Sequence, residues 1–240
     1  MIVHAHGQSD PGRVRRHNED AFAIDSAQRL YAVADGMGGA AAGEVASHLF
    51  IEQALRVFRA ASGSEGGESL IRSAFYHAHE AIHHFMEQHP ETRGMGCTAE
   101  ILSFENNRYL IGHVGDSRSY LIRDNTIRQL TEDHSYIQEQ VRRGNISADD
   151  ARTHSMRNAI NRAVGQRPPL HIDLHSGETH RGDIFLLCSD GLNDMLADHI
   201  LLEIAADSQR SLAERSQHLI AAANRQGGRD NITVVLCQVA

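Results

Sequence analysis

Apolar positions along the chain follow two periods. Short apolar or β-branched runs around Ile2–His6, Ala21–Asp25 and Leu30–Ala34 predict strands, and Gly43–Ala60 then predicts a helix. A Gly/Ser stretch, Ser62–Gly67, reads as a loop. From Glu68 to about His89, residues Ile71, Ala74, Phe75, Ala78, Ile82 and Phe85 recur as one apolar stripe at helical spacing. Three or four strands are expected between Thr98 and Leu130, separated by the turn signals Glu105-Asn106-Asn107, Gly115-Asp116 and Asp124-Asn125. The polar segment from Asp133 to Gly165 has little strong periodicity; it reads as mostly helical and lies between strands, as an inserted flap would. Strands return near Leu170–Gly177 and Ile184–Cys188. Helices over about Asp198–Ala206 and Gln209–Arg225 and a last strand, Ile232–Val239, complete the pattern. Strand clusters alternating with helix pairs predict antiparallel sheets packed together with helices outside. Simple βαβ alternation is absent.

Composition narrows the function classes. The formal charge is −8, which argues against nucleic-acid binding. All 23 basic residues are Arg, so Schiff-base chemistry, a P-loop lysine and a kinase strand lysine are excluded. Cys97, Cys188 and Cys237 form no CxxC pair and read as buried thiols in a reducing compartment. The first residues lack a basic region followed by an apolar one, and no run approaches the roughly 20 apolar residues of a membrane span. The expectation is a cytoplasmic protein without membrane or nucleic-acid partners, and a monomer.

Five acidic groups stand at strand ends beside glycine or other small residues: Asn18-Glu19-Asp20, Asp35-Gly36-Met37-Gly38-Gly39, Gly115-Asp116-Ser117-Arg118, Ser189-Asp190-Gly191 and Gly228-Arg229-Asp230-Asn231. Each taken singly fits an ordinary Asx turn. Together they fit carboxylates converging on one edge of a sandwich. Their mutual repulsion would be relieved there by divalent cations that prefer hard oxygen donors. On the residues alone, turn chemistry and a two-metal hydrolase both stay open.

At these residues the chain resembles the metal-dependent serine/threonine protein phosphatases of the PPM (type 2C) family in their compact bacterial form. The resemblance runs from about Gln8 to Val235 with the motifs in the family's order. Gly12-Arg13-Val14-Arg15 with Asn18-Glu19-Asp20-Ala21 looks like the first motif, Ala34-Asp35-Gly36-Met37-Gly38-Gly39 like the second, and Gly112–Ser119 like the central one. Thr131–Gly165, with His134-Ser135, Gly144, Arg157-Asn158 and Arg162, looks like the bacterial flap. Ser189-Asp190-Gly191-Leu192 and Gly228-Arg229-Asp230-Asn231 close the set.

The resemblance implies an α+β fold: a sandwich of two antiparallel β-sheets flanked by pairs of antiparallel helices, in four layers αββα. One domain would span 1–240, with a small helical flap at about 133–165. It also implies Mn²⁺ or Mg²⁺ as cofactor, as two core ions with a third possible. Asp35 would bridge both core ions and the Gly36 carbonyl would ligate the second. Asp190 and Asp230 would complete the ligand set of the first ion, and Asp116 with Asp190 would hold the third ion. Glu19 and Asp20 would orient metal waters, and Arg15 would bind the substrate phosphate. A metal-bridged hydroxide would attack phosphorus in line. His134, Ser135, Arg157, Asn158 and Arg162 would belong to the substrate-selecting flap. Implied partners are phosphorylated proteins and a cognate bacterial Ser/Thr kinase. Met37 stands where many eukaryotic relatives have a His proposed as general acid, so the leaving-group proton would come from a metal water, with His17 as second candidate.

Two other classes compete. His79-Glu80-Ala81-Ile82-His83 matches HExxH on a predicted helix, with His89 where a third zinc ligand of a peptidase would stand. The longer pattern needs a helix-breaking Gly where this chain has Met86. A catalytically inactive phosphoprotein-binding module would be expected to lose an acid among Asp35, Asp190 and Asp230, and all three are retained. Gly115-Asp116-Ser117-Arg118-Ser119 lacks the last Gly of a nucleophile elbow.

Overall fold

The computed structural model describes all residues except 39–41, 64, 148–149, 151–153, 155, 157–158 and 167–168. In chain order its strands are β1 (Val3–Asp10), β2 (Asp20–Asp25), β3 (Leu30–Met37), β4 (Gly96–Cys97), β5 (Ala99–Glu105), β6 (Arg108–Val114), β7 (Arg118–Arg123), β8 (Thr126–Gln129), β9 (Asp173–Glu178), β10 (Ile184–Cys188) and β11 (Ile232–Val239). The helices are α1 (Ala42–Ala60), α2 (Gly67–Gln88), α3 (Tyr136–Arg142), α4 (Asp190–Asn193), α5 (Asp198–Ala205) and α6 (Leu212–Arg225).

Among the described residues the strands form two sheets, ordered β1-β11-β10-β7-β8 and β2-β3-β5-β6-β9, with every pairing antiparallel. Three apolar layers hold them together, because the central strands are apolar on both faces. In β3, Leu30, Ala32 and Ala34 pack against Phe50 of α1 and Phe75 of α2, while Tyr31 and Val33 turn the other way. In β10 and β11, Leu186, Val234 and Leu236 pack against Leu201 of α5 and Leu219 of α6. Phe185, Leu187 and Val235 meet Tyr31, Leu102 and Phe104 between the sheets. The result is the four-layer αββα sandwich that the resemblance implies. Cys97, Cys188 and Cys237 are all buried and unpaired, as expected.

Element ends differ from expectation in instructive ways. The first strand continues to Asp10 because β11 offers it eight paired positions, Val3↔Val239 through Asp10↔Ile232. The third runs on to Met37 because Gly36 and Met37 pair with Cys97 and Gly96. Helix α6 starts at Leu212, not Gln209, since the Ser211 hydroxyl and the Glu214 carboxylate form a capping box there. Among the described flap residues, fewer are helical than expected. Helix α3 fills its first part, whereas residues 143–147 and 159–165 are turns, bends and isolated bridges.

Candidate metal centre

Strand parity places the acids. Asp35 continues the Tyr31, Val33 series of β3, and its cross-strand partner in β2 is Asp20. Directly opposed like charges on one face cost stability unless something compensates. From the other sheet, Ser189 follows β10; its hydroxyl donates to Asp20 Oδ2 at 2.7 Å and accepts from the Thr233 amide at 2.9 Å. That bond ties the two sheets together beside the acids and sets Asp190 at the start of α4. Asp116 sits in the turn between β6 and β7, and Asp230 in the turn entering β11. Asp35, Asp116, Asp190 and Asp230, four groups far apart in sequence, line one cavity of about 370 Å³ together with Arg15, Glu19 and Gly36.

The backbone around them is tightly registered. The Asp35 amide donates to Thr98 Oγ1 at 3.1 Å, and the Thr98 amide donates to the Asp35 carbonyl at 2.8 Å. Gly36 donates to the Glu19 carbonyl at 3.1 Å. A Cβ at Gly36 would stand 2.1 Å from the Gly43 carbonyl oxygen, so only glycine lets α1 close on this turn.

Electrostatically the site is frustrated. Burial, then Asp20, Asp190, Asp116 and Asp230, pushes the Asp35 carboxyl well above its ordinary range. Burial and then Asp116 and Asp194 do the same to Asp190. Asp116 is pushed up to about 7 by burial and by Asp133 and Asp194. Asp20 rises to about 6, chiefly through burial. Buried oxygens Asp20 Oδ1 and Asp190 Oδ1 have no hydrogen-bond partner. Among the described residues that line the cavity the one cation is Arg15, whose Nη2 donates to Asp230 Oδ2 at 2.7 Å. Among the described residues no three His, Cys, Asp or Glu side chains are already gathered about a single point. The donor set is all oxygen, acidic and short of positive charge, which fits hard divalent cations.

Comparison with known proteins identifies the family. The family model for protein phosphatase 2C matches residues 13–227. The chain belongs to the protein phosphatase 2C family. A serine/threonine phosphatase stp of Listeria welshimeri is 38% identical over 98% of this chain and 96% of its own length. The crystal structure of the Mycobacterium tuberculosis serine/threonine phosphatase PstP/Ppp superposes with a TM-score of 0.93 at 36% identity, covering 100% of this chain and 99% of that one. A structure of the PstP catalytic domain in complex with two manganese ions superposes with a TM-score of 0.89 at 37% identity, again over 100% and 99% of the two chains.

Within this phosphatase fold the flap residues divide. His134 is buried, and its side chain is spent at the flap's root: Nδ1 accepts from the Gly115 amide at 3.1 Å and Nε2 lies 3.1 Å from Asp173 Oδ2. Burial, then the neighbouring His113, lowers its pKa to about 4, so the ring is neutral, as acceptance at Nδ1 requires. Ser135 caps α3 by accepting from the Gln138 amide at 3.1 Å. Arg162 pairs with Asp173 at 3.0 Å. These three anchor the flap, and among its described residues it is Ile160 that reaches the acid cavity. Arg157 and Asn158 lie outside the described residues. Asp20 stands behind Asp35 and bonds to Ser189, while Glu19 lines the cavity.

The zinc-peptidase alternative finds no support in this geometry. His79 Nδ1 accepts from the Gly165 amide and His83 Nε2 donates to the Gln166 carbonyl, each at 3.1 Å. His89 lies past the end of α2, stacked on Phe85. Several residues of the centre escaped sequence reasoning. Asn231, quoted only as part of a motif, is a hub: its Oδ1 accepts from the Glu19 amide, and its Nδ2 donates to the carbonyls of Pro11 and His17. Asp194, one helical turn after Asp190, raises the pKa of both Asp116 and Asp190. Its i+4 spacing from Asp190 was the available signal.

Proposed function

We propose that this chain is a serine/threonine protein phosphatase in which Asp35, the Gly36 carbonyl, Asp190 and Asp230 hold two divalent ions, Mn²⁺ or Mg²⁺, and Asp116 with Asp190 serves a third. The observation that carries this reading is the meeting of four distant carboxylates in one cavity with orphaned buried oxygens and, among the described lining residues, only Arg15 as a balancing cation. Such ions supply a water that is nucleophilic near neutral pH and offset charge on the phosphoryl oxygens. The chain's own residues do the rest. Asp20 backs Asp35 across the β2–β3 ladder, and Glu19 presents its carboxylate at the cavity wall. Arg15, with its side chain 54% exposed at the mouth, binds the phosphate by exchanging Asp230 for substrate oxygens.

The substrate is a phosphoserine or phosphothreonine side chain on a protein, and the partner activity is a bacterial Ser/Thr kinase whose products this enzyme reverses. The relatives named as serine/threonine phosphatases support the substrate class, and a kinase follows because such a substrate must first be phosphorylated. The enzyme works as a cytoplasmic monomer. No helix among the described residues is long and apolar enough to cross a membrane. A decisive assay follows hydrolysis of p-nitrophenyl phosphate and of a phosphothreonine peptide with Mn²⁺ and with EDTA. Turnover of both with Mn²⁺ and neither with EDTA is expected. Peptide binding without turnover would favour an inactive binding module, and EDTA-resistant turnover would overturn the metal assignment.

A further inference from the structure

The HExxH pair on α2, left without a zinc role, meets the trailing end of the flap. His79 and His83 are half-buried, with ring centroids 4.5 Å apart in an edge-on arrangement. Their two bonds to Gly165 and Gln166 demand opposite roles, a bare Nδ1 on His79 and a protonated Nε2 on His83. Burial, then His83, lowers the His79 pKa, which keeps that ring neutral and its Nδ1 free to accept. The contact is built, not incidental. Gly165 has φ +90°, and a Cβ there would stand 2.4 Å from Ile82 Cγ2, so the flap backbone lies directly on α2 between the two histidines. One residue earlier, fully buried Val164 exchanges both backbone bonds with Cys97 at 2.9 and 3.0 Å. Cys97 in turn pairs with Gly36 of the metal turn. The Gln166 amide points at Met37 Sδ, 4.0 Å away. Four residues before Val164, Ile160 reaches the acid cavity.

We propose that His79 and His83 are positioning residues, an outer clamp that fixes the end of the flap so that the stretch around Ile160 is held over the acid cavity for a protein substrate. The metal turn keeps its own bonds to Thr98, so the clamp governs how a large substrate is received and leaves the chemistry of a small one largely alone. The choice of substrates in the test rests on the phosphatase reading, but the clamp itself can be followed without turnover.

The experiment compares the full chain with His79→Leu, His79→Asn and His79→Gln. Asparagine places its Oδ1 where the imidazole has Nδ1 and can accept from Gly165; glutamine, one carbon longer, cannot do so in the same place. Hydrogen exchange of the Gly165 amide, measured with EDTA, should accelerate in the Leu and Gln variants and stay near wild type in the Asn variant. With Mn²⁺, KM for a phosphothreonine protein should rise about fivefold for Leu and Gln, the worth of one neutral hydrogen bond. It should return toward wild type for Asn, with kcat on p-nitrophenyl phosphate kept within about twofold throughout. Unchanged Gly165 exchange in His79→Leu, or Asn and Gln variants equally impaired, would overturn the clamp. Wild-type hydrolysis of p-nitrophenyl phosphate reports separately on the phosphatase reading.

Discussion

Glu100 and Asp35 both point into the layer between the two sheets, yet their surroundings are opposite. Glu100 is fully buried, and each of its oxygens has a partner: His113 Nδ1 in a short contact on one and the Ser119 hydroxyl on the other. The second nitrogen of His113 donates to the Glu132 carbonyl at 2.9 Å. Asp35, at the open edge of the same layer, faces Asp20, Asp116, Asp190 and Asp230, all of its own sign. Buried charge is tolerated when it is paired and hydrogen-bonded. The protein meets that condition itself at Glu100; at Asp35, on the proposed reading, ions from outside would meet it. Pairing makes a structural strut; its absence makes a binding site.

Glu100→Ala would strand His113 in the core and should cost about 3–5 kcal/mol in urea unfolding. Asp35→Asn, in EDTA, removes an uncompensated charge and should raise the unfolding midpoint instead. If both variants move the midpoint the same way, the contrast between the two clusters is wrong. With Mn²⁺ present the ranking reverses for catalysis: Asp35→Asn or Asp190→Asn should lower turnover of p-nitrophenyl phosphate on the order of 100-fold or more while the fold survives. Wild-type rates in both variants would remove these carboxylates from the centre. Arg15→Ala, which deletes a charge-assisted phosphate contact and no metal donor, should raise KM about tenfold with little change in kcat. A fall in kcat at constant KM would contradict that role.

The smallest effect is on pH dependence. In metal-free protein the folded-state values of Asp20 and Asp116, about 6 and about 7, exceed the ordinary aspartate value of 3.8. Between those limits the folded state holds more protons than the unfolded chain, so stability falls as pH rises from roughly 4 to 7. Urea midpoints in EDTA should decline across that window, and Mn²⁺ should flatten the decline. A midpoint that rises with pH in EDTA would show the acids to be compensated internally.

Much of this was legible in the sequence because the central strands are strongly apolar and the acids sit at their ends. Strands β10 and β11 match Ile184–Cys188 and Ile232–Val239 at both ends. The acids Asp35, Asp116, Asp190 and Asp230, read from the turns, do share one cavity. What stayed hidden was tertiary in origin. Gly96–Cys97 is too short to show a period and exists only because Gly36, Met37 and Val164 pair with it. The flap lacks a stripe because its order comes from anchors such as His134 on Gly115 and Gly165 on His79, which no local pattern encodes. The start of α6 was available and missed: Ser211 followed by Glu214 is a capping-box signal.

The central claim is that the acid cavity is a divalent-cation site, and thermal unfolding of wild type and Asp190→Asn, each in EDTA and in excess Mn²⁺, tests it most directly. Ligands that bind only the folded state raise its Tm. Wild type should melt several degrees higher with Mn²⁺, while the variant should already melt higher in EDTA and gain little from the metal. Equal Mn²⁺ shifts in both proteins, or none in wild type, would contradict the account.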